Sequence, residues 1–475
     1  MAMNQSTTEA ESFRAQAPQP LPPRPLNIPE FAETKLANGL QVVIVEDRRL
    51  PLVSFRLAFR AGDANDPADL PGLTDMMTAL LNEGTASRNS LQIAEQVERL
   101  GATLSAGANS DYTTIAASAL SAYDSQILEL MADIALNPSF PENEIELTRE
   151  NAKQMLIQQR AQPNFLAGER MAQVIFGEHP YSLVSPTPES LDAMSRDTLR
   201  DFHRTMLVPD NAVMIVVGDV VRETVLERLE SLFGQWEQRP IPQSTFPAPP
   251  VRSSRSAYVV DRPGSAQSNI VIANLAINRT HPDFFPMLLL NTILGSNASS
   301  RLFMNLREDK GYTYGAYSSL DARRLVGTFR ASAEVRTSVT GDSLKEFFYE
   351  LERIRDEDVS EKEIADAKSY LTGVFPLRIE TQEGLVDQLV QIKMMGLPDD
   401  YLHIYRDRLN QITIGDIRRV ARAHVTPEKA ALVVVGDAAE IIPQIKPYTQ
   451  EIEVYDTEGQ LKPEPVAAPS ESATA

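Results

Sequence analysis

The amino-acid sequence predicts an α+β fold of two tandem homologous α/β-sandwich halves, each a mainly antiparallel sheet covered by helices. Three observations carry this expectation. Apolar runs with strand and helix periods alternate along most of the 475 residues. The strand text NAVMIVVGDV at 211–220 returns as KAALVVVGDA at 429–438, placing Gly218 and Gly436 436 minus 218, or 218, positions apart. Between the two, RPIPQSTFPAPPVR at 239–252 holds five prolines and no apolar period, which marks a linker.

Residues 1–29 are polar and then proline-rich, with Pro18, Pro20, Pro22, Pro23, Pro25 and Pro29, and read as an extended, disordered tether. The N-terminal half is expected over 30–238. Its LANGLQVVIVED carries an Asn38-Gly39 turn into an apolar strand, and PLVSFRLAFRAGD reads as a second strand ending at Gly62. In PGLTDMMTALLNEGT, 71–85, Leu73, Met76, Met77, Leu80 and Leu81 fall at helical spacing and Gly84 stops the helix. A helix follows at 90–100, then two short strands rich in Ala, Ser and Thr within 101–120. Helical patterns through 124–136, 141–175 and 195–206 lead to the strand at 211–220. The 218-residue offset also pairs Pro209 with Pro427, Leu199 with Ile417 and Met194 with Ile412, so a helix and strand unit recurs in register. The C-terminal half is therefore expected over 253–456, with 457–475 a disordered tail.

Composition narrows the partners. A net charge of -20 and a pI near 4.8 disfavour nucleic acid and anionic membranes, and leave peptides, proteins or small molecules. No apolar run approaches the length of a membrane span. With no cysteine, disulfides and thiol chemistry are excluded. MAMNQSTTEAESF lacks a basic region and apolar core, so it does not read as a signal peptide. The long proline-rich tether, of a kind that follows a cleaved export signal, tilts the expected location to the periplasm over the cytoplasm.

The stretch RLFMNLREDKGYTYGAYSSL, 301–320, concentrates the candidate chemistry. Leu302, Phe303 and Leu306 give one apolar helix face begun by Ser299 and Ser300, and Gly311 is expected to end that helix. A strand is expected next, with Tyr312 and Tyr314 on one face and Tyr317 on the other. Such a turn could aim one cation, Arg307, and one phenol, Tyr314, into the same cleft. Taken alone, the pair reads first as a surface Arg307 paired with Asp309 or another acid and an ordinary half-buried strand tyrosine.

Six segments in order change that balance: NGLQVVIVED, PGLTDMMTALLNEGT, LNPSFPENEIE, HPYSLVSPTPESL, the two VVGD strands and LGSNASSRLFMNLREDKGYTYGAYSS. Over about residues 30–455 the chain resembles the pitrilysin and insulinase type of metallopeptidase, the inverzincins. It is most similar to the subunits of bacterial two-chain peptidases and of the mitochondrial processing peptidase. The resemblance implies that the two halves together form one half of a clam shell.

The family's zinc motif, His-x-x-Glu-His, falls on the helix after Pro71-Gly72-Leu73, where this chain has Asp75, Thr78 and Ala79. The further glutamate ligand falls near Met155 or Leu156, and 151–168 contains no acid. The five histidines, His179, His203, His281, His403 and His424, show no ligand-like spacing. Asp75 and Glu83, eight residues apart, are too distant to share an ion. No metal and no cofactor is therefore expected in this chain; zinc is expected in a partner.

The resemblance also implies that Arg307 and Tyr314 match the arginine and tyrosine by which a C-terminal half faces the zinc of an N-terminal half, with Tyr312 as the alternative phenol. The expected function is the non-catalytic, metal-free subunit of a heterodimeric zinc metallopeptidase, acting on unfolded peptides beside a homologous zinc-binding subunit. The alternative is a structural or peptide-binding scaffold without chemistry, like the core subunits of respiratory complexes. A self-sufficient homodimeric hydrolase finds no Gly-x-Ser-x-Gly elbow in the sequence.

Overall fold

The computed structural model describes residues 26–242 and 244–463. Two six-stranded sheets form its centre. The first contains β1 (Ala32–Lys35), β2 (Gln41–Glu46), β3 (Leu52–Phe59), β4 (Thr103–Ala108), β5 (Thr113–Leu120) and β6 (Ala212–Gly218), in the order β1-β2-β6-β3-β5-β4. The second contains β7 (Ser256–Asp261), β8 (Gln267–Ala276), β9 (Thr313–Asp321), β10 (Gly327–Arg336), β11 (Ala431–Gly436) and β12 (Ile452–Tyr455), in the order β12-β7-β11-β8-β10-β9. Five positions correspond, and the repeated VVG strands β6 and β11 occupy the same place in each sheet. Only the outermost strand differs: β1 precedes its sheet in the chain, whereas β12 follows. Antiparallel pairing dominates, broken by β2 with β6, β11 with β7, and β12 with β7.

Strand composition records how many faces are covered. On β3, Val53, Phe55, Leu57 and Phe59 face helices of their own half, including Leu73–Leu80 and Asp124–Leu136. The opposite face of that sheet, with Val43, Val45, Ala58, Val213, Ile215 and Val217, belongs to the apolar cluster of the other half. There it packs against helix Gln382–Met395, which lies across β3 and β6 through Leu385, Val386, Leu389 and Val390. The reverse exchange also occurs. Helix Pro163–Phe176 of the N-terminal half lies across β8 and β11, with Leu166, Ala167, Met171 and Ile175 against Val271, Ala273, Val433 and Val435. The two exchanged helices begin 382 minus 163, or 219, residues apart, so they are equivalent parts of the repeat. Doubly covered strands are apolar throughout, as β6 and β11 are. By contrast β5 and β10 alternate buried and exposed residues, because one of their faces stays open.

Polar contacts lock the halves where the helices cross. Gln382 Nε2 donates to the Asp47 carbonyl at 2.9 Å, Arg49 donates to the Glu380 carbonyl at 3.0 Å, and Arg56 meets Asp387 at 3.1 Å. On the other side, the buried Asp111 accepts from Tyr181 Oη and from the Arg324 amide at 3.0 Å.

Some boundaries differ from expectation. The helical pattern through 141–175 divides into Glu142–Arg160 and Pro163–Phe176, since Pro163 cannot continue a helix but suits its first turn. The linker is irregular yet attached: Ser244 Oγ accepts from Asn65 Nδ2 at 3.2 Å, and Phe246 lies 5.9 Å from the His179 ring. Ile28 is buried in the apolar cluster of the C-terminal half, and Lys462 pairs with Asp261 at 2.7 Å. Residues 1–25 of the expected tether and 464–475 of the expected tail lie outside the described residues. No described helix is long and apolar enough to cross a membrane.

Because Leu389 is a C-terminal-half side chain buried among the strands of the other half, Leu389→Ala is expected to cost about 2–5 kcal/mol of stability. Urea unfolding followed by Trp236 fluorescence, which reports the N-terminal half, should show that loss even though the substitution lies in the other half.

Candidate functional site

Ser300 opens a helix at Arg301–Phe303 that passes directly into a π-helical turn, Met304–Asp309. Leu302, Phe303 and Leu306 are buried, as their spacing predicts. Arg301 is buried too, its guanidinium held by Glu363 at 2.6 and 3.2 Å. The wider turn closes through Lys310 N–H to the Asn305 carbonyl at 3.0 Å, and Gly311 reverses the chain at φ +64°, a conformation that favours glycine.

Edge strand β9 follows, and here the sequence expectation needs correction. Tyr312 does not lie in the strand: it precedes it, with its N–H on the Leu306 carbonyl at 2.9 Å. Thr313 pairs with Val335 and Ala316 with Ala333, so Tyr314 and Gly315 together span the single residue Glu334. This is a β-bulge, and it resets the alternation. Thr313 Oγ1 fixes it, donating toward the Glu334 carbonyl at 2.7 Å and accepting from Gly315 N–H at 3.1 Å. As a result Tyr314 stands 92% exposed and Tyr317, expected on the opposite face, is exposed as well. The Tyr317 ring covers Gly315, where an added Cβ would meet it at 2.6 Å.

Arg307 is 44% exposed in its side chain and bonds the neighbouring acid Glu308 at 2.8 Å. Its guanidinium carbon lies 4.8 Å from the centroid of the Phe303 ring, which in turn lies 5.8 Å from Tyr317. Arg307 thus reaches Tyr317 through Phe303, and it makes no hydrogen bond to Tyr314 among the described residues. Sequence reading did not place Tyr317 beside Phe303 and Arg307; a bulge leaves no mark in a period-2 pattern.

In the other half, Asp66 builds the start of helix Leu73–Leu80. Its carboxylate accepts from Gly72 N–H at 2.8 Å, Thr74 N–H at 3.0 Å and Thr74 Oγ1 at 2.5 Å. Asp75 and Ala79 are exposed on this helix, whereas Thr78 is buried with its hydroxyl on the Asp75 carbonyl at 3.0 Å. Leu156 is buried and Met155 exposed on helix Glu142–Arg160. One carboxylate, one internally bonded hydroxyl and a methyl group do not make a zinc site. The residues present do not fit that ion.

Two models of known families match the chain in succession: "Insulinase (Peptidase family M16)" over residues 41–185 and "Peptidase M16 inactive domain" over residues 193–371. The chain belongs to the M16 peptidase family. The first match includes helix Leu73–Leu80 and the second includes Arg307 and Tyr314. Among M16 relatives, the chain is 24% identical over 408 residues to an uncharacterized zinc protease of Streptomyces coelicolor, covering 85% of this chain and 89% of the relative. It is 20% identical over 398 residues to the non-peptidase homolog YmxG of Helicobacter pylori, covering 83% and 91%. A crystal structure of a peptidase M16 inactive domain from Pseudomonas fluorescens superposes with a TM-score of 0.80 at 27% identity, covering 86% of this chain and 98% of that one. A protease from Helicobacter pylori shares the fold, with a TM-score of 0.81 at 20% identity over 86% and 100% of the two chains. This M16 chain is therefore a member of a peptidase family.

Beside that helix the M16 chain gathers acids. Burial first, then the charges of Asp75 and Asp66, pushes the Asp63 carboxyl up to about 7, and one of its oxygens is buried without a partner. Burial also pushes Asp66 up to about 6, against the hydrogen bonds from Thr74 and Gly72. A carboxyl raised this way holds its proton in the folded state while the unfolded chain releases it near pH 4. Its stabilising share is full below about pH 4 and is lost as pH rises through about 7. Asp63→Asn removes that loss. Melting temperatures of the variant and parent should coincide near pH 4 and separate in favour of the variant by a few degrees at pH 8.

Proposed function

We propose that this chain is the subunit without a catalytic metal in a heterodimeric zinc peptidase, supplying Arg307 and Tyr314 to an active site whose zinc and general base belong to a homologous subunit. The observation that carries the reading is the placement of Tyr314: fully presented to solvent by a bulge on an edge strand, seven residues beyond an exposed arginine. A structural tyrosine at this position would be turned inward by the strand's own alternation. Support also comes from the family match across this segment and from the zinc-free chemistry of Asp75, Thr78 and Ala79.

In this reading the partner's zinc supplies the activated water. Arg307 holds a carbonyl of an extended, unfolded peptide by planar charge-assisted hydrogen bonds. The Tyr314 hydroxyl donates to the substrate oxygen as it gains negative charge, an interaction that strengthens in the transition state. Tyr317 and Phe303 supply an aromatic floor that keeps the Arg307 guanidinium in place.

The test is cleavage of fluorogenic peptides by this chain, by a homologous subunit carrying His-x-x-Glu-His, and by their mixture, with and without chelator. Activity is expected in the mixture alone and lost with chelator. Tyr314→Phe should then lower kcat roughly 10²- to 10³-fold, and Arg307→Ala should raise KM more than it lowers kcat. A partner equally active without this chain, or an unaltered rate in Tyr314→Phe, would discard the assignment in favour of a peptide-binding or structural role.

A further inference from the structure

Two of the five dispersed histidines meet in the folded chain. His281 lies in the loop after β8, Asp283 is the residue at the start of helix Phe284–Gly295, and His424 is the last residue of helix Ile414–His424. His424 Nε2 is 2.9 Å from Asp283 Oδ2, and His281 Nδ1 is 4.0 Å from the same oxygen. The two imidazoles stand edge to face, at 88° with centroids 5.7 Å apart. One donor atom from each of the three residues lies within 4.8 Å of the other two, and all three residues are partly open to solvent.

Asp283 behaves unlike a helix cap. At this position a carboxylate ordinarily accepts from the first free amides of the helix. Asp283 makes no such bond; it turns its Oδ2 to His424 and its Oδ1 to Arg419, 2.8 Å away.

We propose that His281, Asp283 and His424 form a site for one Zn²⁺ ion, which clamps helix Phe284–Gly295 to helix Ile414–His424 and takes no part in peptide cleavage. Two imidazoles and one carboxylate are the donor types of a zinc site, and they disfavour calcium and magnesium, which prefer all-oxygen shells. Tetrahedral zinc with bonds of about 2.0–2.2 Å places its ligand atoms about 3.3 Å apart, between the two separations to Asp283 Oδ2. His281 Nδ1 accepts the Asp283 N–H at 3.0 Å. Its side chain is 40% exposed, so a modest turn of the ring exchanges that amide for the cation. Arg419 then has the role of an outer partner that orients the carboxylate. Its charge opposes the cation, and Asp416, close enough to interact with both Arg419 and Asp283, offsets it. A water molecule completes the fourth position on the open side.

The test uses the untagged full chain, treated with chelator and dialysed, then titrated with ZnCl₂ in a calorimeter and melted with and without the ion. One Zn²⁺ per chain with a micromolar or tighter Kd is expected, with a higher melting temperature when bound. His281→Gln and His424→Gln should each weaken binding by at least about tenfold and abolish the thermal shift, while Asp75→Ala changes neither. His281 sits in a loop with its side chain 40% exposed, so its variant should melt like the parent in chelator, which separates loss of the site from loss of the fold. Absence of binding, or binding that survives both histidine variants, overturns the proposal. Binding lost in Asp75→Ala but kept in the histidine variants overturns it too, and moves the ion to helix Leu73–Leu80.

Discussion

Each sheet in this molecule has two apolar faces and only enough helices of its own to cover one. The structure resolves the shortage by exchange: helix Gln382–Met395 covers the N-terminal sheet and helix Pro163–Phe176 covers the C-terminal one. Burying a Leu, Ile or Val side chain contributes about 1.5–3 kcal/mol, and each exchanged helix buries several. That contact sets the geometry of everything else. The helices lie over the central strands and leave the β4–β5 and β9–β10 ends bare on that side.

Helix Leu73–Leu80 keeps its place in the fold without offering the donors of a zinc site. Leu73, Met76, Met77 and Leu80 are buried and anchor it to the core. Asp75 and Ala79 are on the exposed side, and Thr78 satisfies its hydroxyl within the helix. Packing constrains one face of the helix and leaves the exposed face free to vary without removing a strand or helix.

Much of this was legible in the sequence, and what was not has identifiable causes. Repetition of VVGD at a fixed offset revealed two halves, and helical spacing gave the buried faces around Leu73 and Leu302. The exchange was not legible, because periodicity shows that a face is apolar and never which helix covers it. Nor was the projection of Tyr314: the bulge with Gly315 depends on pairing against Glu334, a long-range fact. Tyr312 fell outside the strand because its N–H bonds back to the Leu306 carbonyl of the π-helical turn. His281 and His424, 424 minus 281, or 143, residues apart, met only because the start of helix Phe284–Gly295 lies beside the end of helix Ile414–His424.

The helix exchange also orders events during synthesis. When the ribosome has delivered the complete N-terminal sheet, ending with β6 at Gly218, the face formed by Val43, Val213, Ile215 and Val217 still lacks its cover, which lies more than 160 residues further on. Helix Pro163–Phe176 is at that stage equally without its sheet. Neither half can mature as an independent unit, so the nascent chain carries two matching apolar surfaces until the second sheet is made. The exposure of apolar surface is thus a property of the topology, and it falls on the interval between the two repeats.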